Sequence, residues 1–252
     1  ILRDIREELG EPGFRLFTTG SGGGALARIL GVKQHQEVNA LSEAVEHLHP
    51  DPGSVFELGG QDAKYILWRD GADRFCSMND RCAGGTGATI DRIVMKLCLG
   101  QEQVRSLGYR PELVHPVAAK CGVFAETDIN SLQKQGIGVE SLMISLFHAV
   151  VEQNLTVLTR GHVPSPPVLL LGGPNVYFPA LRECWEVRLR SLWEERGSSR
   201  PSAESVPRGA PGPETGPGEE PGSGPDPVQV PPDALYYGAL GAALLGRRRN
   251  GD

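Results

Sequence analysis

The chain has 252 residues, of which 39% are hydrophobic and 22% charged, a composition typical of globular proteins and not of disordered or fibrous ones. Its net charge of −6 gives no reason to expect a nucleic-acid partner, because binding to a phosphate backbone requires a basic surface. No apolar run reaches the roughly 20 residues that span a bilayer, and no signal-peptide pattern is present, so we expect a cytoplasmic protein without a membrane partner.

The first half of the chain predicts α/β layers followed by a meander. Residues 14–31 indicate a short strand, a glycine-rich turn and a helix, and residues 37–50 indicate a second helix that ends before Pro50. The stretch "SVFELGGQDAKYILWRDGADRFCSM" then alternates apolar runs with "GGQD" and "DGA" turns. We expect three consecutive antiparallel strands there.

The second half predicts helices, one more strand and a long insertion. Helices are expected at about 86–99, 122–135 and 138–160, and "PPVLLLGGPNVYFPALRECWE" indicates a buried strand, a turn and a helix. Residues 197–232 hold ten of the chain's 20 prolines and almost no large apolar residue, which predicts a disordered insertion. Apolar and small residues return in 233–252 and predict a final helix.

Three glycine-rich turns are candidate phosphate or nucleoside sites. In "ELGGQD", Gly59 and Gly60 would let a phosphate approach the backbone, while Gln61 and Asp62 could position a water and Mg²⁺. The other two turns supply a possible anion site with free N–H groups at a helix start and a possible nucleoside cradle after a buried strand: Gly84, Gly85, Thr86 and Gly87 in "GGTG", and Gly172, Gly173 and Asn175 in "LLLGGPN". A polar β-turn and an ordinary strand-to-helix connection are the alternatives.

Five cysteines are too few and too scattered for a disulfide framework: Cys76, Cys82, Cys98, Cys121 and Cys184. Cys82 and Cys121 each precede a predicted helix, and Lys120 adjoins the second, so both positions would stabilise a thiolate. Two thiolates are half of the four that an iron–sulfur cluster takes, and a two-fold dimer would supply the rest. Taken alone, these residues are better explained as buried, unreactive cysteines, because free cysteine is among the most buried residue types.

Four motifs together resemble one known family. "ELGGQDAK", "MNDRCAGGTG", "KCGVFAETD" and "LLLGGPN", in that order and spacing, resemble the BadF/BadG/BcrA/BcrD-type ATPases, which include the activators of 2-hydroxyacyl-CoA dehydratases, the CoA-enzyme activases. "QHQEVNALSEAVEHLHP" and "TDINSLQKQGI" look most like the module of the long tandem activases. The resemblance covers about residues 14–195 and 233–246.

The resemblance implies an α/β, actin-like ATPase fold of the ribonuclease H-like, sugar kinase and heat-shock-protein superfamily. It predicts that residues 1–50 are a remnant of the first ATPase lobe, because the D-x-G-S-T motif of the family is absent and Ile1 starts downstream of it. Residues 51–196 would be the second lobe, 197–232 the disordered Pro/Gly-rich insertion, and 233–252 a C-terminal helix that returns to the ATPase body.

By the same resemblance, the chain is an ATP-dependent activator that passes a low-potential electron to a 2-hydroxyacyl-CoA dehydratase or benzoyl-CoA reductase-type partner. Cys82 and Cys121 would hold one 4Fe-4S cluster shared between the two subunits of a homodimer, and a ferredoxin or flavodoxin-like protein would be the electron donor. Gln61 and Asp62 would serve catalysis with Mg²⁺, and the three glycine-rich turns would contact ATP. Glu126, in "FAETD", would couple the nucleotide to the cluster helix, or would simply be a solvated carboxylate.

Two other functions fit the same motifs. A sugar or acyl kinase of the same fold would use the ATP site to phosphorylate a small molecule, and its cysteines would be incidental. A non-hydrolysing, cluster-bearing module of a longer activase would need no complete ATPase site. Function depends on the site and not on the fold, so the fold alone does not separate these possibilities.

Overall fold

The computed structural model describes residues 4, 7, 8, 10, 15–69, 73–79, 84–119, 121–198 and 226–248. Its contacts divide the chain into two compact units, one made of Ile1–Pro52 and Pro231–Asp252 and the other of Gly53–Val230. In chain order the elements are β1 (Phe17–Thr18), α1 (Gly23–Leu30), β2 (Lys33–Gln34), α2 (Glu37–Leu48), β3 (Ser54–Leu58), β4 (Ala63–Trp68), β5 (Arg74–Asn79), α3 (Gly87–Lys96), α4 (Gln101–Arg105), a 3₁₀ turn (Pro111–Leu113), α5 (Gly122–Lys134), α6 (Val139–Val157), β6 (Val168–Leu171), α7 (Gly173–Tyr177), α8 (Pro179–Ser198), β7 (Val228–Gln229) and α9 (Tyr237–Arg248).

The first unit is built around the packing of α2 against α9. A Cβ placed on Gly241 would lie 1.6 Å from the backbone oxygen of Ala40, so the two helices approach with no space for a side chain between them. At the end of α9, the Arg248 guanidinium forms an ion pair with Glu43 of α2 at 2.8 Å. The short strands β1 and β2 pair in parallel in the same unit.

The second unit contains a five-stranded mixed sheet in the order β5-β4-β3-β6-β7. The strands β3, β4 and β5 form an antiparallel meander, which confirms the prediction for this part of the chain. The strand β6 joins the other side of β3 in parallel, and β7 pairs in parallel with β6. All four residues of β6 are buried, as expected of a strand covered on both faces.

The core of the second unit lies between this sheet and the long helices. The rings of Phe56 on β3 and Trp185 on α8 are 4.5 Å apart, and Phe56 also stacks on Tyr65 of β4 at 4.6 Å. The helix α6 contributes fully buried side chains to the same cluster, including Met143 and Phe147. Aromatic pairs of this kind add about 0.5–1.5 kcal/mol to the stabilisation from burial alone.

Two features differ from the sequence predictions. The strand β7, Val228–Gln229, lies inside the segment predicted to be disordered, whose part from 199 to 225 is outside the described residues. The helix predicted after "LLLGG" is broken at Phe178, because the residue before Pro179 is disfavoured in the helical conformation. None of the described helices combines the length and the apolar composition needed to cross a membrane.

Candidate functional site

Three glycine-rich segments that are far apart in the chain meet in the second unit. The strands β3 and β6 are parallel neighbours, so the turns that follow them lie at the same edge of the sheet. A Cβ on Gly172, which has a φ of +89°, would lie 2.1 Å from the backbone oxygen of Leu58. A Cβ on Gly87 would lie 3.2 Å from the backbone oxygen of Gly59 and 3.3 Å from Cγ of Pro174. The structure therefore brings the three predicted turns into direct contact.

A pocket of about 740 Å³ opens beside this junction, which is within the usual size range of small-molecule sites. Its wall combines residues of the three turns with α3, α4 and α7: Gly60, Gly87, Asp91, Val94, Met95, Leu99, Gln101, Val104, Arg105, Gly173, Pro174, Tyr177 and Phe178. The Arg105 guanidinium lies 4.9 Å from the centre of the Tyr177 ring, in cation–π geometry. The pocket is thus lined by apolar side chains, by the Arg105–Tyr177 pair and by glycines of the three turns.

The turn between β3 and β4 is open to solvent at its tip. Gly60 and Gln61 are exposed, and a Cβ on Gly60 would meet nothing within 4 Å. The Gly59 amide donates to the backbone oxygen of Asp62 at 2.9 Å, which closes the turn. A phosphate group could therefore approach the Gly60 backbone without a steric conflict.

Asp62 forms an ion pair with Lys64, a residue that the sequence did not indicate as part of the site. The ammonium of Lys64 donates to Asp62 Oδ1 and to Glu57 Oε2, each at 2.8 Å, and the Lys64 side chain is completely buried. The signal was present in "ELGGQDAK", where the lysine lies two residues beyond the aspartate and the glutamate lies at the end of the preceding strand. Neither Glu57 nor Lys64 was a candidate, because a glycine turn draws attention to its tip.

The expectation of free N–H groups at the start of α3 is wrong. The amides of Gly87 and Ala88 donate to the backbone oxygens of Gly59 and Gly60 at 3.0 and 2.8 Å. The Thr86 hydroxyl also donates to the Gly60 oxygen, at 3.2 Å. The β3–β4 turn thus occupies the donors that an anion would need, and Thr86 and Gly87 fasten α3 to that turn instead of facing a ligand with their polar groups.

Gly84 and Gly85 pack against α5 and α6. A Cβ on Gly84 would lie 2.8 Å from the Gly122 nitrogen, and the Gly85 oxygen accepts a hydrogen bond from Asn154 Nδ2 at 2.8 Å. Gly85 has a φ of +75°, so a side chain there would be strained as well as crowded. The loop before α3 is therefore pressed against the first residue of α5.

Cys121 lies half-buried at the N-cap of α5, as predicted. The amides of the next three residues, 122–124, donate to no acceptor in the part of the chain that the structure describes. Val123 and Phe124 are 65% and 64% exposed, so the surface next to the thiol is apolar. Cys82, Lys120 and their local geometry lie outside the described residues.

Glu126 links α5 to α3. Its carboxylate accepts a hydrogen bond from Lys96 at 2.9 Å and forms an ion pair with Arg92 at 3.5 Å. The Lys96 hydrogen bond is the main reason why the pKa of Glu126 lies below its usual value. The carboxylate is thus paired across two helices and is not merely solvated.

The structure gives Asn175 a different place from the predicted one. The side chain is fully buried, donates to the Leu171 oxygen at 2.8 Å, and accepts from the Trp185 indole N–H at 3.1 Å. These bonds fix the turn after β6 from the core side. Of this motif, Gly173 and Pro174 reach the pocket wall and Asn175 does not.

Comparisons with known proteins identify the family of this chain. The model of the BadF/BadG/BcrA/BcrD ATPase family matches residues 4–181. The uncharacterized protein YjiL of Escherichia coli (strain K12) is 26% identical over 218 residues, 86% of this chain and 70% of that protein. An activator of lactoyl-CoA dehydratase from Anaerotignum propionicum is 27% identical over 142 residues, 56% of this chain, and the match spans only about half, 54%, of its length.

A solved structure shares the fold. The activator of the 2-hydroxyisocaproyl-CoA dehydratase from Clostridium difficile, determined with bound ADPNP, superposes with a TM-score of 0.69 at 18% identity, covering 100% of this chain and 81% of that one. The fold is the α/β fold of actin-like ATPases, as the family resemblance implied. Since the family model covers well over half of the chain, the protein belongs to the BadF/BadG/BcrA/BcrD ATPase family.

Proposed function

We propose that this protein binds ATP in the pocket beside the three glycine-rich turns, and that ATP hydrolysis there drives its action as an activator. The observation that carries the proposal is the meeting of the three turns: Gly60 and Gly173 both line one pocket although 112 residues separate them in the chain. The nucleoside would occupy the apolar part near Tyr177, and the phosphates would approach Gly60, where the backbone is open. The ATPase family membership supports the same assignment.

Mg²⁺ and the attacking water are assigned to Asp62 and Gln61. Asp62 Oδ2 receives no hydrogen bond from the described part of the chain, while Oδ1 is held by Lys64, so one oxygen is available to a cation. Mg²⁺ in nucleotide sites keeps several waters and takes one or two carboxylates plus phosphate oxygens, and this donor set fits that need. Gln61 is exposed beside it, where a side-chain amide could orient a water.

Cys82 and Cys121 are assigned to one 4Fe-4S cluster shared by two copies of the chain. Three observations support a ligand site at the start of α5. They are the half-buried position of Cys121, the amides of 122–124, which donate to no acceptor among the described residues, and the contact between Gly84, two residues after Cys82, and Gly122. The exposed Val123 and Phe124 would be covered by the second copy. Such a cluster, when bound, supplies one-electron redox chemistry.

The wider activity follows from the relatives. The lactoyl-CoA dehydratase activator suggests that the partner is a 2-hydroxyacyl-CoA dehydratase or a benzoyl-CoA reductase-type enzyme, which would receive a low-potential electron that a ferredoxin or flavodoxin-like protein had supplied. Residues 1–50 are proposed as part of the first ATPase lobe and residues 51–196 as the second, with 233–252 packing on the ATPase body.

Helix α3 is the proposed connection between nucleotide and thiol. Its first residue, Gly87, donates a hydrogen bond to Gly59 in the β3–β4 turn. In its last turn, Lys96 forms an ion pair with Glu126 of α5. A shift of the turn on hydrolysis would therefore move α5, the helix that begins after Cys121. Rigid elements with hydrogen-bonded ends are suited to carrying such coupling.

Anaerobic purification with iron and labile-sulfide analysis tests the cluster assignment. We expect about four irons per dimer and a dimer in solution for the wild type, and loss of both in Cys82→Ala and Cys121→Ala. Cys98→Ala is the matched control, because Cys98 is an exposed cysteine at the far end of α3 and should leave iron content unchanged. A folded, iron-free wild type would contradict the redox role, and measured ATP turnover would then separate a kinase or plain ATPase from a non-hydrolysing module.

A further inference from the structure

We infer that Lys64 is a positioning residue of the ATPase site. It fixes the Asp62 carboxylate on the β3–β4 turn and offsets the charge of the neighbouring Glu57. This inference rests on the proposed function, because it concerns how Asp62 is presented to Mg²⁺ and ATP. Lys64 itself touches neither ligand, because its side chain is completely buried.

The strand register places the three charged groups together. Glu57 on β3 and Lys64 on β4 are directly opposite each other in the antiparallel pair. Asp62 stands just before β4, on the turn, so a lysine at position 64 reaches both carboxylates at 2.8 Å from one ammonium. The Glu57 and Asp62 side chains are 13% and 12% exposed, so water screens these contacts weakly.

The charge balance of this cluster suits a triphosphate. Two nearly buried carboxylates without a cation would repel each other and the phosphates of ATP. With one ammonium between them, the net charge of the three groups is −1, and each carboxylate is held by a charge-assisted hydrogen bond. Asp62 has one oxygen held by Lys64 and one that accepts no hydrogen bond from the described residues, which is the arrangement that a single-carboxylate Mg²⁺ site requires.

The Asp62 and Glu57 carboxylates each lie against a glycine of the pocket turns. A Cβ on Gly59 would lie 2.9 Å from Asp62 Oδ1, and a Cβ on Gly172 would lie 3.1 Å from Glu57 Oε1. The carboxylates therefore occupy the space that side chains at these two glycines would need. Lys64 thus determines where both acids sit relative to the floor of the pocket.

The test compares two variants that differ only in the ammonium. Glu57→Gln removes one carboxylate and keeps the Lys64–Asp62 contact, whereas Glu57→Gln/Lys64→Met removes the ammonium and retains a cluster charge of −1. The double variant leaves Asp62, which is 12% exposed, without its ammonium partner, so circular dichroism with thermal melting checks that it folds. Mn²⁺ in place of Mg²⁺ allows the cation to be followed by electron paramagnetic resonance with bound ADPNP, independently of turnover.

We expect the double variant to bind ADPNP with a Kd within about threefold of that of Glu57→Gln, but to bind Mn²⁺ at least about tenfold more weakly. We expect its kcat for ATP to fall by about 100-fold with little change in KM, because a displacement of about 1 Å in a catalytic group costs on that order. Equal Mn²⁺ affinities in the two variants would overturn the inference. If the wild type still bound ADPNP, the proposed function would stand. Failure of the wild type to bind ADPNP with either metal would overturn both.

Discussion

Gly172 is the residue on which the turn after β6 depends most. Its φ of +89° is unfavourable for any side chain, and a Cβ there would lie 2.1 Å from a backbone oxygen of β3. We expect Gly172→Ala to lower the free energy of unfolding by about 2–6 kcal/mol, since backbone strain and overpacking each cost about 1–3 kcal/mol. Urea unfolding followed by tryptophan fluorescence measures this change.

Gly173→Ala is the matched control for that substitution. The position is next in the chain and has no left-handed φ, and an added Cβ would come no closer than 3.8 Å to Tyr177. We expect a change in unfolding free energy of no more than about 1 kcal/mol. If the two variants were equally stable, the close approach of the Gly172 backbone to β3 would be refuted.

At the scale of single residues, the sequence could predict which glycines allow a close approach to the backbone, but not which partners the neighbouring polar side chains bind. Gly59, Gly60 and Gly172 could be identified from their motifs, because glycine lets another group approach the backbone closely. Asn175 was assigned to a ligand, yet it bonds to Trp185, ten residues along the chain on the next helix. Such a pairing depends on the break at Phe178, and single-residue patterns do not carry it.

Among the helices, Glu126 provides a test of the connection between α3 and α5. Glu126→Gln removes the ion pairs with Lys96 and Arg92, and we expect a stability loss of under about 1 kcal/mol at pH 7, because the groups are partly exposed. Folding lowers the pKa of this carboxyl below 4.5, so its stabilisation is present above that pH and is lost as the pH falls through the lowered pKa. Denaturant unfolding at pH 7 and pH 3 should show the gap between wild type and variant closing at pH 3.

Asp73→Asn is the control for this pair. The Asp73 side chain is 73% exposed, and its ion pair with Arg69 involves neither α3 nor α5. In the proposed activator, Glu126→Gln should reduce the nucleotide dependence of cysteine accessibility at the start of α5, and Asp73→Asn should not. Equal accessibility changes in both variants would argue against transmission through α3.

The contact between α2 and α9 gives a second prediction at this scale. We expect Gly241→Ala to destabilise the first unit by about 3 kcal/mol, because the added methyl group would overlap the Ala40 carbonyl and push the helices apart. Hydrogen exchange of the α2 and α9 amides would report the change locally. In Gly238→Ala the nearest atom to the new methyl is 3.7 Å away, so exchange there should slow or stay the same, and faster exchange would contradict the packing described.

The predictability of each element follows from its length and periodicity. The meander and the helices α3, α5 and α6 could be predicted because their apolar spacing continues over many residues. The two-residue strands β2 and β7 have no such pattern, and β7 exists because β6 offers it an unpaired edge. Pro179 accounts for the break between α7 and α8, whereas the apolar pattern alone predicts one longer helix.

For the molecule as a whole, the sequence indicated that the glycine turns belong to one site only through resemblance to a family. Gly60, Gly87 and Gly173 share one pocket wall because parallel pairing of β3 with β6 brings two turns to one edge and the α3 start is fastened between them. Strand order is a property of non-local contacts, and local patterns do not determine it. The pocket could therefore be located only in three dimensions.

Nucleotide binding at this pocket should stabilise the whole protein. ADPNP with Mg²⁺ at about 100 times its Kd should add about 2.7 kcal/mol to the free energy of unfolding and raise Tm by about 5–10 °C. Arg105→Ala removes the guanidinium from the Tyr177 corner and should reduce this rise at a fixed ligand concentration, because the affinity falls. Arg110→Ala is the matched control, since Arg110 pairs with Glu140 and does not line the pocket. Equal shifts in both variants would place the nucleotide elsewhere, whereas a shift that is lost only with Arg105 would establish the pocket as its site.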